Sequence, residues 1–171
     1  AGHALMGYIL QPDKLDSASI TSQGGTLGSV RMNGDDVGLA SKSEIEQRIM
    51  ISLAGMCAEE LMAGEMSTGN SSDIKRSVDL VKTMLDEGFY GMGYVAISAG
   101  NSPWESETCN EQFAIQMVKI KEILDRMKKR VETILAINKD ILESIATALV
   151  DKGELRKSEI IELARDYQKV A

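Results

Sequence analysis

Residues 41–74 read SKSEIEQRIMISLAGMCAEELMAGEMSTGNSSDI, and this stretch decides the fold. Ser41 or Ser43 suits a helix start, because a hydroxyl accepts a backbone N–H that the first turn leaves unpaired. Glu44 and Glu46 follow where a helix N-terminus favours negative charge. Ile45, Ile49, Leu53, Met56, Cys57 and Leu61 then recur three and four residues apart, the spacing of one helix face. Gly64 falls where the pattern stops, and Ser67 to Ser72 form a polar connector. Beyond it Ile74, Val78, Val81 and Leu85 mark one face of a second helix that ends near Gly88.

Working outward, Ala1 to Leu10 have the small and apolar mix of a helix end, closed by Pro12. Ser19 to Met32 are rich in glycine and β-branched residues and predict a short strand or hairpin, with a turn at Asn33-Gly34-Asp35-Asp36. On the other side, Gly91, Gly93 and Gly100 to Pro103 predict irregular chain around Trp104. Phe113, Met117, Ile120, Leu124, Met127, Val131 and Ile134 alternate four and three residues apart. That pattern suits a long helix packed in a bundle or hairpin, and equally a coiled-coil seam. Asn138-Lys139-Asp140 leads into another amphipathic segment through Ile141, Leu142, Ile145 and Leu149. Gly153 breaks it, and a last short helix begins at Ser158. The expected fold class is mostly α-helical, with a small glycine-rich strand or hairpin near the N-terminus.

Composition narrows the function classes. The 171 residues carry 19 Lys+Arg against 26 Asp+Glu, a net charge of −7. That balance argues against a nucleic-acid partner, whose phosphates need a basic face, while leaving room for a local basic patch. A hydrophobic content of 43% supports a folded core rather than a disordered acidic tail. Cys57 and Cys109 build no disulfide framework or structural zinc cluster, and read as a buried small hydrophobe and a free thiol. Charged or polar residues interrupt every apolar run short of the ~20 residues needed to span a bilayer. A single histidine, His3, argues at first against a metal site. Taken alone, it is an incidental residue near a chain start, Asp73 is a first-turn helix charge, and Glu59-Glu60 are solvent-facing.

The order of the motifs says more. Ala1-Gly2-His3-Ala4-Leu5 is followed by Gly25-Thr26-Leu27-Gly28, Ser41-Lys42-Ser43-Glu44 and Leu53-Ala54-Gly55-Met56-Cys57-Ala58-Glu59-Glu60-Leu61. Gly64-Glu65-Met66-Ser67-Thr68-Gly69-Asn70-Ser71-Ser72-Asp73-Ile74 and Tyr90-Gly91-Met92-Gly93 come next, and Asn138 and Leu155 to Leu163 complete the match. In this order and spacing the chain resembles, over nearly its whole length, the zinc-peptidase domain of the FtsH family of ATP-dependent proteases.

The resemblance implies a zinc-dependent endopeptidase acting on unfolded or membrane proteins. His3 would be the second histidine ligand of a His-Glu-x-x-His motif and Asp73 a third protein ligand from a distant helix. The first histidine and the general-base glutamate are expected immediately before Ala1, so none of the residues 1–171 is assigned as catalytic. Glu59, or less readily Glu60, would orient a ligand imidazole. Gly25, Thr26, Leu27, Gly28, Ser29 and Val30 would form an edge strand that aligns an extended polypeptide by strand addition. The same segment could equally be a small structural hairpin. The implied cofactors are Zn²⁺ here and ATP with Mg²⁺ in an upstream domain, since residues 1–171 contain no Gly-x-x-x-x-Gly-Lys-Ser/Thr phosphate loop. The implied assembly is a homo- or hetero-hexamer, anchored to a membrane through segments outside residues 1–171, with this domain in an aqueous compartment. Two departures stand out: Ser22-Gln23-Gly24 replaces the family's Pro-Arg-Gly, and Ala54-Gly55-Met56 replaces Gly-Gly-Arg. The alternative from another class is a catalytically inactive helical assembly or chaperone-like subunit of the same fold. A third, an unrelated coiled-coil adaptor, accounts only for Phe113 to Ile134.

Overall fold

A computed structural model describes residues 1–21, 28–34, 40–90 and 106–165, with side chains for all of these except 106–113. In chain order the elements are α1 (Gly2–Leu10), β1 (Leu15–Ser19), β2 (Ser29–Met32), α2 (Lys42–Ala63), α3 (Ser71–Asp86), α4 (Ser106–Ile137), α5 (Lys139–Lys152), β3 (Glu154–Arg156) and α6 (Lys157–Leu163). One turn of 3-10 helix, Thr68–Asn70, precedes α3. The mostly helical expectation holds.

Ser41, rather than Ser43, caps α2. Its hydroxyl accepts the Glu44 N–H at 3.3 Å, and the Glu44 carboxylate accepts the Ser41 N–H at 2.9 Å. Gly64 closes the helix in the left-handed conformation, with φ of 78°. The stripe Ile45, Ile49, Leu53, Met56 and Cys57 is buried, each large side chain contributing roughly 1.5–3 kcal/mol. Helix α2 is the central element, with α1, α3 and α4 packed around it. Small residues set how closely α1 approaches. A Cβ on Gly2 would lie 2.3 Å from the Ala54 carbonyl oxygen and 2.6 Å from the Ala58 Cβ.

The long pattern forms α4, which packs on α2 and α3 as the bundle reading requires. Ile120, Ile123, Met127, Val131 and Leu135 are its buried residues, whereas Met117 is exposed. Leu124 and Ile134 are only half-buried, so the buried face is rotated from the expected seam. The rotation follows from having two neighbours along one side instead of a single coiled-coil partner.

The three strands form one antiparallel sheet in the order β2-β1-β3. The expected hairpin is present but starts earlier, at Leu15. Strand β3 was not anticipated, because three residues carry no readable alternation. Ala18 lies opposite both Val30 and Leu155, making the row that faces the core. Gly28 leads into β2 with φ of 151°, and a Cβ there would come within 2.9 Å of the Ser19 carbonyl oxygen. The sequence expectations at Gly25, Thr26, Leu27, Asp35, Asp36, Gly91, Gly93, Gly100 to Pro103 and Trp104 lie outside the described residues. Among the described residues no helix is long and apolar enough to cross a membrane.

Candidate metal centre

His3 sits in the first turn of α1 and Asp73 in the first turn of α3, seventy positions apart in sequence by their own numbering. Helix α2 brings them together, because both flanking helices pack on it. The His3 Nε2 lies 3.1 Å from the Asp73 Oδ2, and both side chains are about a third exposed. The pair thus lies at the edge of the helical packing rather than in the core.

The contact is not a formed hydrogen bond. His3 Nε2 is itself buried and has no partner with hydrogen-bond geometry among the described residues. Distance and angle therefore disagree, and the angle is the stricter test of a bond. A ring nitrogen converging on a carboxylate oxygen without hydrogen-bonding to it suits two ligands of one ion. Ligand atoms on a tetrahedral zinc, at bonds of about 2.0–2.1 Å, are about 3.3 Å apart. The nitrogen-and-carboxylate donor set also suits zinc. The residues present therefore fit the ion, and would supply two of its ligands. Among the described residues no cluster of three or more such side chains occurs.

Gly55 makes the room. A Cβ at this position would stand 2.2 Å from the His3 Cε1 and 2.9 Å from each ring nitrogen. The Cε1 side of the imidazole therefore packs against bare α2 backbone. Sequence reasoning passed over Gly55 as a residue that the family also carries beside a departure. Its signal was legible, since glycine inside a helix costs roughly 1 kcal/mol relative to alanine and so marks a close approach.

Glu59 stands one turn further along α2. Its Oε2 accepts the Ser67 N–H at 3.0 Å and the side-chain amide of Asn70. Asn70 also donates to the Ser67 carbonyl at 3.2 Å, and Ser67 Oγ accepts the Gly69 N–H at 3.3 Å. The carboxylate thus fixes the loop whose end sets the start of α3, and with it Asp73. Glu60 instead pairs with Lys128 of α4 at 2.9 Å. The Ser67 N–H above all, then Ser67 and Asn70 side chains, hold the Glu59 carboxyl below the ordinary carboxylate range. With a depressed folded-state pKa, the stabilisation is present above the unfolded carboxylate pKa and lost as pH falls through the folded one. Thermal midpoints of wild type and Glu59→Gln should differ near neutral pH and converge in acid. A gap independent of pH would show that the charge does not hold the loop.

Two further features belong to α2 and its neighbours. Burial pushes the Cys57 thiol up to about 11, so it has no thiolate chemistry near neutrality. Tyr90 donates to Glu46 Oε1 at 2.6 Å and accepts from Arg126 at 2.8 Å, tying α2 and α4 to the turn that follows α3. Burial first, then the Glu46 carboxylate, pushes its phenol up to about 12. Of the expected substrate strand, Ser29 and Val30 lie in β2, at one edge of the sheet, with Gly28 just before it.

A family model described as "Peptidase family M41" matches residues 1–163. The ATP-dependent zinc metalloprotease FtsH 2 of Thermoanaerobacter sp. (strain X514) is 31% identical over 169 residues, which cover 94% of this chain and 30% of that protein. The ATP-dependent zinc metalloprotease FtsH 1 of Sorangium cellulosum (strain So ce56) is 33% identical over 177 residues, covering 96% and 28%. The ATP-dependent zinc metalloprotease FtsH of Magnetococcus marinus (strain ATCC BAA-1437 / JCM 17883 / MC-1) is 29% identical over 175 residues, covering 95% and 26%. The chain spans under a third of the length of these curated relatives.

Proposed function

The chain belongs to peptidase family M41, and from that premise we propose that it is the zinc-binding, peptide-cutting part of an ATP-dependent endopeptidase that degrades unfolded or membrane proteins. The observation that carries the reading is the convergence of His3 Nε2 and Asp73 Oδ2 at 3.1 Å without a hydrogen bond. The relatives' names, ATP-dependent zinc metalloproteases, support the same metal and the same chemistry.

Zinc, when bound, supplies a Lewis acid for the scissile carbonyl and makes water acidic enough to attack near neutral pH. The chain's own residues do the positioning. Imidazole and carboxylate would hold the ion, Gly55 lets the ring lie against α2, and Glu59 fixes the loop that delivers Asp73. The edge of β2 offers backbone groups to an extended polypeptide, with Gly25 to Val30 as the expected docking segment. The first histidine and the proton-transferring glutamate are assigned to the pair expected before Ala1. The longer protein would couple this part to an ATP- and Mg²⁺-dependent module, assemble as a homo- or hetero-hexamer, and be anchored to a membrane with this domain in an aqueous compartment.

Equilibrium titration of the metal-free full-length protein with Zn²⁺ tests the reading. About one ion per subunit should bind, and casein hydrolysis should return with it. Absence of stoichiometric binding would overturn the proposal in favour of a helical subunit without chemistry.

A further inference from the structure

The outer face of the sheet, away from Ala18, holds a second constellation. Ser17 is the register partner of Arg31 on β2 and also of Arg156 on β3. Side chains directly opposite on adjacent strands share a face, with Cβ atoms about 4.5–5.5 Å apart. Two guanidinium groups therefore flank one hydroxyl. These residues line an open cleft of about 520 Å³ between the sheet and the start of α6, within the ordinary volume range of ligand sites.

Three observations show a site rather than a solvated strand face. Ser17 is nine-tenths buried, at 9% exposure, and its hydroxyl, which has no hydrogen-bond partner among the described residues, is the part left open to the cleft. Arg31 and Arg156 are both exposed, and neither makes an ion pair among the described residues. Glu159 senses Arg156 through space but is paired with Lys152. The cleft also inverts the sign of the chain. Arg31, Arg156 and Lys157 outnumber Asp16 and Glu154 here, while the whole chain carries −7. Lys157 is partly engaged, donating to the Asp13 carbonyl at 3.3 Å.

We propose that this cleft binds a carboxylate of a polypeptide, received by the Arg31 and Arg156 forks above the Ser17 hydroxyl. A guanidinium presents paired N–H donors that match a planar carboxylate, and the hydroxyl supplies one more donor at the floor. The small positive excess suits a single negative charge, since Asp16 and Glu154 would oppose a phosphate dianion. Ile161 at the rim gives the neighbouring residue an apolar contact. The inference deepens the protease reading, on which it rests for the class of ligand. It names a second place, on another element set from His3 and Asp73, where a polypeptide is held by charge.

The test is fluorescence anisotropy with the full-length protein in EDTA, so that binding is read without cleavage. Three fluorescein-labelled Ala/Leu hexapeptides serve as probes: one with a free C-terminus, its C-terminal amide, and the amide with one internal glutamate. Either carboxylate-bearing peptide should bind at least about tenfold more tightly than the plain amide, the scale of a charge-assisted hydrogen bond. Which of the two binds tells a chain terminus from an acidic side chain. The advantage should vanish in Arg31→Ala/Arg156→Ala and shrink in Ser17→Ala, a smaller change that guards against loss of fold. Equal binding of all three peptides would overturn the proposal, and so would stronger competition by inorganic phosphate than by acetate. Casein hydrolysis by the zinc-loaded protein, measured alongside, separates the two readings. Hydrolysis with no carboxylate preference defeats only the cleft, and carboxylate binding without hydrolysis defeats only the protease.

Discussion

Asp73→Asn in the full-length protein should lower zinc affinity by more than about a hundredfold and remove casein hydrolysis with it. Changing a residue that merely supports a ligand costs 10–100-fold, and Asp73 is assigned as a ligand itself. Asparagine keeps the shape of the side chain and its place in the first turn of α3 but replaces the charged oxygen with a weak neutral donor. The cost to the fold is small by comparison. A negative charge at a helix N-terminus is worth about 0.3–1 kcal/mol, and the Asp73 backbone carbonyl still accepts the Ser77 hydroxyl at 2.8 Å. The substitution therefore separates metal binding from stability. If the His3–Asp73 contact were only an ion pair between two helices, the variant would lose a fraction of a kcal/mol and keep its zinc. Zinc content by atomic emission together with a urea unfolding curve decides between them. Undiminished zinc in a folded variant would take Asp73 out of the ligand set.

Local chemistry in the sequence was enough to read the helices. Ser41 and Glu44 cap one another within four residues, Gly64 and Gly153 stop the helices they follow, and Ile45 to Cys57 repeat at helical spacing. These signals need no knowledge of the rest of the chain. His3 and Asp73 are different, since nothing in their own neighbourhoods sets them together. Their pairing came from the order of motifs, and the packing of α1 and α3 on α2 supplies its physical reason. What sequence reasoning missed depends on partners remote in the chain. Strand β3 becomes a strand only because Ser17, Ala18 and Ser19 offer it a ladder, more than a hundred positions earlier by numbering. Tyr90, Glu46 and Arg126 meet only after three helices have packed. Glu59 was expected to support a ligand imidazole; its carboxylate accepts from Ser67 and Asn70, contacts that depend on how the connector folds back over α2.

Gly55→Ala should preserve the fold and cripple the site. The new methyl would begin 2.2 Å from the His3 Cε1, inside any real contact distance, so one of the two must move. The imidazole is the end of a side chain with two rotatable bonds, whereas Gly55 belongs to a helix packed on three others, so the ring yields. Its Nε2 then leaves the position 3.1 Å from Asp73 Oδ2. A displacement of about 1 Å at a reacting centre costs on the order of 10²-fold in rate, and casein hydrolysis should fall by that much. Stability should change little, because alanine gains roughly 1 kcal/mol of helix propensity over glycine, offsetting the repacking. Gly2→Ala provides the contrast. There the methyl would meet the Ala54 carbonyl oxygen at 2.3 Å, a backbone atom that cannot rotate away. That variant should lose stability by about 1–3 kcal/mol, as overpacking does, because α1 must lift from α2. Thermal midpoint, zinc content and hydrolysis measured on both variants separate the two effects. Wild-type zinc affinity and rate in Gly55→Ala would show that bare backbone beneath the imidazole is not what holds it in place.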